Sequence, residues 1–217
     1  MTAIAKKYYT PEEYLELERK AEHKSEYMNG QIYPIHRTAL EESERVNGQA
    51  YAMSGASRAH NLITLNIGRE VSSQLKGRPC ETYVNDMRVK VSPTGMYTYP
   101  DVVAVCGEPH LEDRQIDTLV NPTVIIEVLS PSTEVHDRGE KFAHYRKLES
   151  LAEYVLVAQD KARVEHYVRQ GELGQWVLTE ISGQDGTLHL GSIGCAISLI
   201  DIYDKVSFPT NEAAATT

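Results

Sequence analysis

The 217-residue sequence predicts an α/β fold, and three observations carry that expectation. Helical patterns recur along the chain: a capped segment near residue 10 and longer ones at 54–77 and 135–147. The stretch NPTVIIEVLS (121–130) is apolar without alternation, as in a strand buried on both faces. Three later segments, 152–159, 162–170 and 175–181, alternate apolar and polar residues between polar turns, the pattern of antiparallel strands.

The first helix is marked by Thr10 as N-cap, Pro11 at the first helical position and Glu13 three residues after the cap, which together make a capping box. Tyr14, Leu15 and Leu17 give it a short apolar face as far as about Lys20. An internal near-repeat follows. HKSEYMNGQIYPI (23–35) and EESERVNGQAYAM (41–53) align at an offset of 18 residues, each with Asn-Gly between strand-type residues, a strong hairpin signal. Two copies are too few for a solenoid, so this reads as a local tandem duplication adding a strand or loop.

Segment 54–77 reads as a helix capped by Ser54 or Ser57 and ended by Gly77. His60, Ile63, Ile67, Glu70, Val71 and Gln74 share roughly a 100° face. Leu62, Leu65 and Leu75 lie elsewhere on the cylinder, which predicts a helix well covered by neighbours. Strands are expected at 82–91, with Val89 and Val91 opposite Arg88 and Lys90, and at 97–106. An acidic loop leads to the apolar strand at 123–130, and a last short helix is expected near 199–203. The whole reads as a single domain over 10–205, with 206–217 as a frayed tail.

Composition narrows the function classes. The start of the chain holds no apolar run of signal-peptide length, and no run approaches the roughly 20 residues that span a bilayer, so a cytoplasmic location and no membrane partner are expected. Cys80, Cys106 and Cys195 are odd in number and lack C-x-x-C spacing, which argues against a disulfide framework and a structural zinc site. Any metal should be a hard cation held by oxygens. The net charge of −9 counts against strong nucleic-acid binding. Residues 58–90 hold six basic groups against three acidic, and 91–136 one against seven. A basic half facing an acidic pocket would explain that split; a solvated surface explains it somewhat better.

Glu127 is the anomaly: an unpaired carboxylate in an apolar strand costs several kcal/mol. On the residues alone, a metal ligand and a glutamate paired with a structural Arg or Lys are evenly balanced. Asp101, after Pro100, sits at a strand mouth rather than in mid-ladder, as a turn residue or a functional one. If the two strands pair antiparallel, both carboxylates converge at one edge of the sheet, where a cation between them would relieve their repulsion and suit Mg²⁺.

Pro100-Asp101 followed by Glu127-Val128-Leu129 resembles the PD-(D/E)XK nuclease signature, except that leucine stands where the lysine belongs. The longer phrases YPDVVAV, NPTVIIEVLSPST, DRGEKFAHYRKL, EYVLVAQD and GSIGCAISLIDIY resemble the Uma-two family of restriction-endonuclease-like proteins, over about residues 10–33 and 47–205. That resemblance implies a central mixed β-sheet flanked by helices, with the C-terminal antiparallel strand set attached. It also implies a lysine that has migrated to the following helix, here Lys141. Asp137, Lys141 and Tyr145, spaced i, i+4, i+8, share a face within about 80°.

The resemblance implies hydrolysis of phosphodiester bonds in DNA, with Mg²⁺ or Mn²⁺ on Asp101 and Glu127 and with Lys141 positioning water. His60, Glu70 and Tyr145 would then be supporting or substrate-contacting groups, and a homodimer would cut both strands. Two departures stand out. The family pattern needs one NGQ hairpin, and the copy at 47–57 fits it best because it runs straight into the helix. Ala59 precedes His60 where an acidic residue is expected, which leaves Glu70 as the helix carboxylate or leaves the chain without one. His60 itself reads first as a packed, hydrogen-bonded histidine, and Asp86 as a partner of Arg88 or Lys90 ahead of a third ligand. The rival readings are a nuclease-derived binding or regulatory protein with little turnover, and a metal hydrolase acting on something smaller than duplex DNA.

Overall fold

The computed structural model describes residues 7–35, 56–131, 133–171 and 174–208. Helix α1 (Pro11–Glu18) starts as its sequence dictates: Glu13 N–H donates to Thr10 Oγ1 and the Glu13 carboxylate accepts from Thr10 N–H. The first NGQ copy forms a hairpin, β1 (Ser25–Met28) and β2 (Gln31–Pro34), in register Met28↔Gln31. Its two turn residues, Asn29 and Gly30, both take positive φ (51° and 78°), as a tight hairpin of this hand requires. The second copy, preferred from sequence for that strand, lies outside the described residues, as do Ser54 and residues 209–217. Helix α2 (Arg58–Leu75) is capped by Ser57, whose side chain accepts from His60 N–H. It buries Ile63, Ile67, Val71 and Leu75, but Leu65 is 64% exposed, so the helix is covered on one side only.

The expected strands at 82–91 and 97–106 are each broken in two. The pieces are β3 (Cys80–Val84) and β4 (Arg88–Val91), then β5 (Met96–Thr98) and β6 (Val102–Cys106). Asn85 adopts φ 59°, a left-handed conformation that asparagine tolerates, and its N–H donates to the Asp101 carbonyl. The two breaks lie side by side, and there the chain leaves one sheet and enters the other. Strands β7 (Thr118–Leu119), β8 (Val124–Val128), β9 (Glu153–Val157), β10 (Arg163–Gln170) and β11 (Gln175–Ser182) follow.

One sheet has six strands in the order β11-β10-β9-β8-β6-β3, mixed because β8 runs parallel to β9 and antiparallel to β6. The second has five, β2-β1-β5-β4-β7. A small hairpin, β12 (Thr187–Leu190) with β13 (Cys195–Ser198), leads into α5 (Leu199–Ile202); the helix was expected and the hairpin was not.

The strand β8 alternates between two cores. Val124, Ile126 and Val128 pack with α2 and the β12–β13 hairpin. Ile125 and Leu129 face the other way, toward Val89, Val91 and Met96 of the five-stranded sheet and Tyr145 and Leu148. Glu127 shares the parity of Ile125, so it points into the seam between the sheets. Burying the four apolar side chains of β8 contributes roughly 1.5–3 kcal/mol each, enough to hold a carboxylate in that strand.

The predicted helix at 135–147 is three pieces: α3 (Glu134–His136), a π-helical turn over Asp137–Lys141, and α4 (Phe142–Tyr145). Single π turns inside helices recur at functional sites. A second correction concerns cysteine. Cys80 and Cys106 form a disulfide, because β3 and β6 pair antiparallel with these two residues directly opposite, Cα atoms 4.0 Å apart. Their separation of 26 residues could not announce that register. Among the described residues Cys195 is the free cysteine, and no helix is long and apolar enough to cross a membrane. The basic and acidic stretches meet in part inside the fold: Lys90 pairs with Glu112, and Arg88 lies 3.5 Å from Asp117.

Candidate active site

The candidate site lies where β8, the strand crossover at Pro100-Asp101, the π turn and β1 converge. The register Val103↔Ile125, Val102↔Ile126 continues by one step to place Asp101 opposite Glu127. The strands β6 and β8 thus pair antiparallel, the condition set for these two acids to meet, and Asp101 stands one residue beyond the ladder. Their partners differ. Asp101 Oδ2 accepts from Val128 N–H at 2.7 Å, and Oδ1 lies 2.9 Å from His60 Nε2. Glu127 Oε1 accepts from the Tyr145 hydroxyl at 2.9 Å and from Lys141 Nζ at 3.2 Å.

Lys141 is the hub. Its ammonium lies 3.1 Å from Glu26 Oε1, 3.2 Å from Glu127 Oε1 and 3.4 Å from Asp137 Oδ1. Three carboxylates thus surround one ammonium, which donates a hydrogen bond to Glu127. The lysine, Glu26, Glu127 and Asp137 are all buried. Glu26 comes from β1; its Oε1 also accepts from Thr98 Oγ1 at 2.5 Å, and its Oε2 lies 4.0 Å from His136 Nε2.

Electrostatics divides these acids. Burial pushes Glu127 up to about 8, with Asp137, Asp101 and Glu26 adding to the rise and Lys141 opposing it. Burial also works on Glu26, but Lys141, Thr98 and His136 outweigh it and leave that carboxyl below its usual range. Asp137 is raised by burial against the pull of Lys141 and a Thr133 hydrogen bond. Burial would lower Lys141, yet its carboxylates hold it well above an ordinary lysine. It stays protonated. His60 is likewise raised, Asp101 overcoming burial. One lysine thus serves more negative charge than it can neutralise.

The residues expected from sequence divide as follows. Asp101, Glu127, Lys141, Tyr145 and His60 come together, and His60 is the packed, hydrogen-bonded histidine that was favoured. Glu70 pairs with its neighbour Arg69 at 3.0 Å and, among the described residues, with none of the cluster. Asp86 is exposed and pairs with Lys24, not with Arg88 or Lys90. Sequence reasoning missed Glu26. Its only signal was the Ser-Glu shared by both hairpin copies, which had been read as structural.

Among the described residues no three His, Cys, Asp or Glu side chains are grouped to hold a metal ion. Asp101 and Glu127 are still a suitable donor pair for a hard cation. Both offer oxygen, they stand opposite on adjacent strands, and Mg²⁺ commonly takes one or two carboxylates and completes its shell with water. The surplus negative charge around Lys141 points the same way.

Comparison with known proteins agrees with this architecture. Two uncharacterized proteins of Synechocystis sp. are 36% identical over 188 residues, covering 87% of this chain and 96% of the relative, and 32% identical over 199 residues, covering 92% and 93%. A crystal structure described as a "putative nuclease belonging to DUF820" from Anabaena variabilis superimposes with TM-score 0.69 at 18% identity, over 91% of this chain and 99% of that one. The fold is shared. Residues 36–199 match the Uma2 family, described as "Putative restriction endonuclease", and with three quarters of its length inside that match the chain belongs to the Uma2 family.

Proposed function

We propose that the protein hydrolyses phosphodiester bonds in DNA with Mg²⁺ or Mn²⁺, using Asp101, Glu127 and Lys141. The observation that carries this reading is the juxtaposition of two acids on paired strands with a buried lysine 3.2 Å from one of them. Restriction endonuclease-like families generally use divalent metals, which supports the metal assignment. Asp101 and Glu127 would hold the ion, which when bound supplies charge neutralisation for the phosphate and a more acidic water. Lys141, held protonated, acts as a hydrogen-bond donor that orients water and steadies developing negative charge; it cannot serve as a general base in that state. Tyr145 fixes the Glu127 carboxylate, and His60 holds Asp101 at the more open side of the site, where each is 17% exposed.

A second reading has its own support. Lys141 is held among three acids, which favours a nuclease-derived binding or regulatory protein with little turnover. A plasmid-nicking assay in Mg²⁺ or Mn²⁺ separates the two, comparing wild type with Asp101→Ala and Lys141→Ala. Nicking that both substitutions abolish supports the enzyme. An inert wild type that still shifts DNA in Ca²⁺ supports the binder, and neither cleavage nor binding points to a smaller substrate.

A further inference from the structure

We infer that Glu26 is a positioning residue for this site: by holding the Lys141 ammonium it frees Glu127 for a divalent cation. The inference rests on the metal-dependent reading above and deepens it by adding a residue from outside the family-matched span of 36–199.

The geometry supplies the reason. Lys141 Nζ stands between Glu26 on the five-stranded sheet and Glu127 on the six-stranded one, at 3.1 and 3.2 Å, with Asp137 below it at 3.4 Å. A dication bound by Asp101 and Glu127 would repel that ammonium and compete with it for the same Glu127 oxygens. The lysine must then rely on its other two acids. Glu26 is built to receive it: it is buried, and Thr98 Oγ1 orients the same oxygen that Lys141 contacts. With Glu26 in place, four carboxylates face one ammonium and one dication, and the lysine keeps two acids of its own once Glu127 is given to the cation. Without it, the ammonium falls back on Asp137 and Glu127, and the cation has to displace it. Glu26 therefore acts on the cation through Lys141 and not as a ligand.

Manganese titration of the full-length protein, with free Mn²⁺ read by electron paramagnetic resonance, tests this without depending on turnover. Glu26→Gln should bind Mn²⁺ roughly tenfold more weakly than wild type, a coupling of the size neighbouring charges show. Glu26→Asp, which keeps the charge, should recover part of the loss. Lys141→Met should bind more tightly than wild type, and adding Glu26→Gln to it should have little further effect, because the competitor is gone. Should Glu26→Gln fail to fold, Thr98→Val, which removes only the hydroxyl that orients Glu26, should weaken binding in the same direction by a smaller factor. Wild-type affinity in Glu26→Gln, or in Thr98→Val where that variant stands in for it, overturns the inference and leaves the metal reading intact. A double variant as weak as Glu26→Gln alone makes Glu26 a ligand and overturns it equally. If neither wild type nor Lys141→Met takes up Mn²⁺, the metal reading falls and this inference with it.

Discussion

Replacing Glu127 by Gln should stabilise the protein at alkaline pH while disabling its proposed site. Burial, helped by Asp137, Asp101 and Glu26, raises the Glu127 carboxyl from 4.5 to about 8 despite Lys141. The folded chain thus keeps a proton that the unfolded chain releases. Stability from this group is fully present below the unfolded value of 4.5 and is lost as pH rises toward about 8. Each tenfold change in proton affinity corresponds to about 1.4 kcal/mol, so going from about pH 5 to about pH 8.5 costs wild type roughly 4 kcal/mol through this one carboxyl. Glutamine carries no such cost, and its oxygen can still accept from Tyr145 and Lys141. Near pH 5, where Glu127 is already neutral, the two proteins should differ by less than ~1 kcal/mol. Urea unfolding in metal-free buffer at both pH values measures the difference. Parallel pH curves, or a wild type that gains on the variant as pH rises, would refute the charge surplus on which the site rests.

Three further outcomes are expected. Tyr145→Phe removes a buried hydroxyl that donates to Glu127 at 2.9 Å and should cost about 1–2 kcal/mol in urea unfolding, leaving one acceptor short of a donor. Reducing the Cys80–Cys106 disulfide opens a 26-residue loop and should lower stability by up to about 3 kcal/mol, read as a shift in urea midpoint with and without dithiothreitol. Thr10→Ala deletes one half of the capping box and should cost about 1 kcal/mol, with the loss confined to amide-exchange protection near α1 if that helix opens locally.

Local chemistry was legible because it depends on neighbours in the chain. The Thr10 cap, the Asn29-Gly30 turn, the double burial of β8 and the shared face of Asp137, Lys141 and Tyr145 all follow from short spacings. The meeting of Asp101 with Glu127 was legible only on the condition that their two strands run antiparallel, which short spacings do not decide. The breaks at Asn85 and Asp101 were not legible, since an alternating pattern persists when a strand changes sheets and each half still buries one side. Nor was the disulfide, because cross-strand register is a property of two distant segments. Helical phase puts Glu70 on the face with His60, but of the two it is His60, in the first turn of α2, that bonds Asp101, while Glu70 pairs with Arg69.

By itself, then, the order of residues determined most of the elements and the burial of the acid-bearing strand, while the lysine that would answer its glutamate came from the family resemblance. What only the folded arrangement decided is who else shares that lysine. Glu26 lies more than a hundred residues away in the chain, and it reaches Nζ because two sheets close over a π turn. Charge acts through space, so the balance that sets the state of Glu127 exists only once those three elements have met.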